Sequence, residues 1–184
     1  ELPAHDYVRR EIELPVHLTG YCLVGTFTAM AAAAIENGTA KVSGKGHPLA
    51  SLTLLAAETD FTEPGEMGVL IDEAQVEMLE AMMAEKGFLT GQQMAGSFQF
   101  LHARDLVWSN RTKTLLLGEP AFANELMVWN ADVTRLPAVM HSQYLRRMYL
   151  ANELAEGRYK FEGKALSLHD IRVPLFVVGT VKDH

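Results

Sequence analysis

Residues 20–26 read GYCLVGT, and the position of that turn in the chain decides the fold. Ahead of it, PVHLTGY at 15–21 is short and apolar, with strand character; behind it, TFTAMAAAAI at 26–35 is an Ala-rich run of high helix propensity. A linker bearing Gly and Lys at 36–48 leads to LASLTLLAA at 49–57, a continuous apolar run that suits a strand buried on both faces. Strand, tight turn, helix and strand in this order predict a right-handed parallel crossover, and so an α/β fold.

Further out, helical periodicity dominates from residue 58 to about 152. In LIDEAQVEMLEAMMAEK at 70–86, Ile71, Ala74, Met78, Leu79 and Met82 share one face with carboxylates opposite. More helices are expected at 91–102, 106–117, 121–131 and 138–154, punctuated by Pro120 and Pro137. YKFEGKALSL at 159–168 reads as a polar hairpin around Glu162 and Gly163, and VPLFVVG at 173–179 as a second fully apolar strand. The expected organisation is therefore a first part of a core at 1–57, a helical insertion at 58–168 and a return strand at 169–184.

Bulk properties narrow the function classes. At 184 residues and 48% hydrophobic, the chain has enough apolar mass for one ordinary domain with a core. With a net charge of -7 and Lys and Arg scattered, it has no basic stripe to follow a phosphate backbone, so nucleic acid is not an expected partner. No apolar run reaches the roughly 18–20 residues of a membrane-spanning helix, and a cytoplasmic protein is expected. The seven histidines show no HExxH-type spacing, so no metal is expected. The sequence opens at Glu1 rather than Met and stops at His184 soon after an apolar run, so it reads as a fragment.

The single cysteine, Cys22, excludes an internal disulfide and sits between strand and helix, where a nucleophile elbow belongs. A side chain at such a turn is lifted out of the sheet, the helix N-terminus behind it stabilises negative charge, and the backbone N–H of Leu23 can donate to an oxyanion. GxCxxG is a short pattern, and a free cysteine is also a common small core residue; the pattern by itself leaves both readings open. In TVKDH at 180–184, Asp183 follows an apolar strand at its carboxyl end, where open α/β sheets keep functional groups. Cys22 followed by Asp183 obeys the α/β-hydrolase order of nucleophile, acid, then histidine. A solvated turn aspartate is the bland alternative.

Several motifs in order carry a more specific likeness: GYCLVGT, LASLTLLAAETDFTEPGE, LIDEAQVEMLEAMMAEKGFL, ARDLVWSN, MVWNADVTRLPAVMHSQYLRRMYLANELAEGRY and IRVPLFVVGTVKDH. Together they resemble the polyhydroxyalkanoate (poly-3-hydroxybutyrate) synthases of the single-subunit, short-chain class, from about Pro15 to the end of the chain. The resemblance implies a partial α/β-hydrolase core with an inserted helical cap or lid. It further implies an acyltransferase that polymerises (R)-3-hydroxyacyl groups from coenzyme A thioesters through an acyl thioester on cysteine. Cys22 matches the nucleophile and Asp183 the acid; the family's catalytic histidine falls in a further segment, and His184 does not match it. No cofactor is implied, coenzyme A thioester being the substrate. Expected partners are (R)-3-hydroxyacyl-CoA, the growing polyester chain, a second copy in a homodimer and granule-surface proteins, with the polyester granule surface as the place of work.

Trp108, Trp129 and Asn130 lie in family-like motifs and are candidates for the substrate path, although aromatics at helical spacing are more often plain core. Arg146 and Arg147 on a helix are more often salt-bridged or solvated than ligand-binding, and receive no role. One departure is specific: the family's elbow has paired glycines after the nucleophile, where this chain has Val24 then Gly25. A β-branched side chain there is expected to crowd the helix against the strand. A thiol hydrolase or thioesterase on the same scaffold, or a non-catalytic relative that binds acyl chains or a subunit, remain as alternatives; monomer length is not legible.

Overall fold

The computed structural model describes residues 2–93, 112–118, 125, 128, 132 and 135–181. The expected helices at 91–102 and 121–131 lie largely outside these residues, as do Trp108, Trp129, Asn130 and Asp183; of the expected helix at 106–117 only the second half is described, and it forms a π-helix at Thr112–Leu116. The chain forms two compact units, one of Glu1–Gly65 with Arg147–His184 and one of Glu66–Arg146.

The first unit holds a three-stranded parallel sheet. β1 (Val16–Tyr21) pairs with β2 (Leu49–Leu55), which pairs with a strand from the far end of the chain, β5 (Leu175–Val178). The α/β arrangement expected from the sequence is thus present. Helix α2 (Leu23–Glu36) crosses from β1 to β2 and packs on both strands. Its buried face is mostly alanine, with Ala32 and Ala33 fully enclosed, and such small side chains let the helix axis approach the sheet closely. Leu52, also fully enclosed, anchors the opposing strand, and its truncation to alanine would cost about 2–5 kcal/mol.

One expectation about strand burial is corrected. β2 is not buried evenly: Leu49, Leu52 and Leu54 are enclosed, whereas Ser51, Thr53 and Leu55 are only half covered. β5 forms where expected, but Leu175, Phe176, Val177 and Val178 are all exposed, at 53, 62, 56 and 41%. The reason is position: α2 packs on β1 and β2, and β5 stands at the end of the described strand order with β2 as its neighbour.

Ahead of the sheet, α1 (Leu2–Ile12) is a helix that the sequence pattern did not announce. It buries His5 and Arg9, Arg9 donating to the carbonyl of Lys45, while the Asp6 carboxylate accepts from the Ser43 N–H at 2.6 Å. The expected hairpin is a short one, β3 (Lys160–Phe161) against β4 (Lys164–Ala165).

The second unit is described from a 3-10 turn (Gly65–Leu70) into α3 (Glu73–Met83). Asp72 caps α3 by accepting from the Gln75 N–H at 2.8 Å, which is why the helix starts three residues into the predicted 70–86 window. Its packed face also differs from the apolar stripe read in the sequence. Val76 and Met83 are buried while Met78 and Met82 are exposed, because Glu80 turns inward to Arg146 and Ser142 and fixes the helix about its axis. The predicted helix 138–154 is interrupted: α4 (Ala138–Tyr144) gives way to a wider π-type turn (Leu145–Leu150) that ends before Asn152, whose φ is 45°.

Candidate active site

The site is built where β1 runs out. Tyr21 is the last strand residue, Leu23 the first of α2, and Cys22 alone makes the turn, with φ 52° and ψ -129°. Side chains rarely accept that backbone region, and holding one there costs on the order of 1–3 kcal/mol. Three contacts hold it. The Cys22 N–H donates to the Leu55 carbonyl of β2 at 2.9 Å, and the Cys22 carbonyl accepts from the Gly25 N–H at 2.8 Å. Behind them, buried Thr26 donates to the Glu58 carbonyl at 2.6 Å.

Glycine is required at two places. A β-carbon on Gly20 would stand 2.6 Å from both the Cα of Gly25 and the hydroxyl oxygen of Thr28; one on Gly25 would collide with Ala57. Helix and strand therefore meet backbone to backbone at 20 and 25. Val24 is not in this contact: its side chain is 49% exposed, and its carbonyl accepts from Thr28 Oγ1 at 2.7 Å. The expected crowding by Val24 is thus not what the elbow shows, since one step of about 100° along a helix moves the side chain off the strand-facing side. Gly20 and Thr28 were not singled out from sequence. The available signal was a glycine inside an apolar strand, which marks a close backbone approach.

The Cys22 thiol is free and exposed, and it makes no cap hydrogen bond to α2. Leu23, as the first helical residue, carries an N–H without a partner inside the helix. Because all three strands are parallel, their carboxyl ends share one edge, and Tyr21, Leu55 and Val178 fall in one row. That row spans two strand spacings, about 10 Å. Cys22 follows the first of these residues directly; Asp183 follows the last by five positions and lies outside the described residues.

Other candidates resolve into structure. Arg146 pairs with Glu80 at 2.8 Å and with Glu73 at 2.5 Å in the second unit. In the first unit Arg147 pairs with Glu153 at 2.7 Å and stacks on the Tyr159 ring at 3.9 Å. Among the described residues no group of three or more His, Cys, Asp or Glu is placed to hold a metal ion, and no helix is long and apolar enough to cross a membrane. A groove of about 440 Å³ lined by Asp60, Glu156, Ser167 and His169 contains none of the predicted site residues.

A left-handed residue carrying an exposed thiol, at the carboxyl end of a parallel strand and at the head of the crossover helix, defines an α/β protein with a cysteine elbow. Comparison with known proteins specifies which kind. The chain is 38% identical over 172 residues to the poly(3-hydroxyalkanoate) polymerase of Methylorubrum extorquens, a match covering 94% of this chain and 27% of that protein. It is 36% identical over 174 residues to the poly(3-hydroxyalkanoate) polymerase subunit PhaC of Rhizobium meliloti, with the same shares. To the polymerase subunit PhaC of Cupriavidus necator it is 34% identical over 176 residues, or 92% of the chain and 29% of that protein. No family model matches. The chain is homologous along nearly its whole length to one segment of the poly(3-hydroxyalkanoate) polymerases, and it spans little more than a quarter of their length.

Proposed function

We propose that this segment carries the nucleophile of an acyltransferase that polymerises (R)-3-hydroxyacyl groups from coenzyme A thioesters. The observation that carries the proposal is the exposed Cys22 thiol on a left-handed turn at a strand's carboxyl end; the likeness to polymerases over 94% of the chain supports it. The Cys22 thiolate attacks the thioester carbonyl, the Leu23 N–H holds the resulting oxyanion, and coenzyme A leaves as the thiol. The product is another thioester, so loading is close to thermoneutral and the acyl group stays activated. The hydroxyl of a second hydroxyacyl group, or of the growing chain, then attacks it, forms the ester and releases the cysteine. Asp183 orients the histidine that serves as the base. No cofactor enters: coenzyme A arrives and leaves with the substrate. A homodimer working at the polyester granule surface is part of the same proposal, supported by the likeness alone.

The test is coenzyme A release from (R)-3-hydroxybutyryl-CoA by the full-length protein, beside its Cys22→Ala variant. Release should fall by at least ~10³-fold, and a covalent acyl adduct should be found on the unaltered protein only. Turnover surviving in Cys22→Ala would overturn the assignment.

A further inference from the structure

We infer, on the assignment of Cys22 as nucleophile, that Val24 with Tyr21 forms an apolar wall that sets how bulky an acyl group can reach the thiol. Tyr21 at the end of β1, Cys22 at the turn and Val24 in the first turn of α2 lie within four consecutive positions, and all three are exposed, the tyrosine at 62% and the valine at 49%. Among the described residues, the contacts that fix this turn use neither apolar side chain. The close helix–strand contact is made by Gly20 and Gly25, and the hydrogen bonds that fix the turn run through the backbone of Cys22, Val24 and Gly25 and the hydroxyls of Thr26 and Thr28.

Val178 adds a third apolar group on this edge, 41% exposed and in one row with Tyr21 and Leu55. Three exposed apolar side chains, Tyr21, Val24 and Val178, thus lie on the elements that meet at this edge, as suits an acyl chain. Val24 is the second residue of α2, next to Leu23, whose N–H is the one assigned to the oxyanion. Its two methyl groups fill space beside that oxyanion, so they discriminate against branched or bulky acyl groups more than against slender ones.

Cys22 is the only cysteine of these 184 residues, and alkylation followed by mass analysis of the peptide that carries it reads this thiol. The rates of N-methylmaleimide and N-cyclohexylmaleimide, which share one chemistry and differ in bulk, are compared in the unaltered protein and in Val24→Gly, Val24→Ala and Val24→Leu. The expected result is that the methyl-to-cyclohexyl rate ratio falls at least ~5-fold in Val24→Gly, falls less in Val24→Ala and rises in Val24→Leu. A ratio that stays constant across the folded variants overturns the inference; so does an equal change for both reagents. Alkylation needs no turnover, so this outcome is independent of coenzyme A release: loss of the polymerase reading shows there, loss of the wall shows here.

Discussion

Gly20 on β1 and Gly25 on α2 touch backbone to backbone: a β-carbon built on Gly20 would stand 2.6 Å from the Cα of Gly25. This contact, rather than anything at position 24, sets how close the crossover helix lies to the sheet and so how sharply the chain must turn at Cys22.

Gly25→Ala should therefore destabilise the protein by about 1–3 kcal/mol, because the added methyl meets Ala57 in a contact with no room to give. Val24→Ala, at a half-exposed site, should stay within about 0.5 kcal/mol. Urea unfolding of the two variants side by side decides it, and equal losses would mean that the close approach lies elsewhere.

Cys22 holds φ 52° and ψ -129°, a conformation that glycine adopts without strain. Cys22→Gly should accordingly be more stable than Cys22→Ala by about 1 kcal/mol, although both lose the thiol. If the alanine variant proved the more stable, the turn would not be strained.

Asn152 combines a left-handed backbone with three side-chain hydrogen bonds, accepting from the Phe61 N–H at 3.0 Å and donating to Asp60 at 2.8 Å and Thr62 at 3.1 Å. Asn152→Ala loses the bonds and keeps the strain; Asn152→Gly loses only the bonds. A loss of about 2–4 kcal/mol is expected for alanine and about 1 kcal/mol less for glycine, read from thermal unfolding.

Within the second unit, the Arg146 guanidinium and then the Ser142 hydroxyl hold the Glu80 carboxyl down from 4.5 to about 2. A depressed carboxyl stabilises the fold above its unfolded value, and that contribution is lost as pH falls through the folded one. Stability from this group should thus be full above about pH 4.5 and decline between there and about pH 2. Denaturant midpoints between pH 5 and 3 should slope less in Glu80→Gln than in the unaltered protein; parallel slopes would remove Glu80 as the source.

His141 is buried in α4, and burial pushes its imidazole below the ordinary 6.5. The unfolded chain then binds a proton more readily, so stability is complete above pH 6.5 and falls as pH drops toward the folded value. Replacing His141 with phenylalanine should flatten the stability profile between pH 7 and 5, a window separate from that of Glu80.

The sequence by itself determined the order of strands and helix around the turn, because apolar runs, an Ala-rich helix former and glycine punctuation act over a few residues. It also singled out Cys22, since one thiol at one turn leaves little competition. It pointed to the wrong consequence of Val24. A pattern places a side chain in a sequence window, but which side of the first helical turn meets the strand is decided when Gly20, Gly25 and Ala57 come together across 37 positions. Likewise, the apolar stripe of α3 suggested Met78 and Met82 as buried, and only the pairing of Glu80 with Arg146, remote in sequence, turned Val76 and Met83 inward instead. The interruption after Tyr144 has the same origin, with Asn152 drawn to Phe61, Asp60 and Thr62 some 90 positions away. Local pattern is set by neighbours along the chain; helix rotation, close backbone approach and left-handed residues are set by partners that only folding supplies.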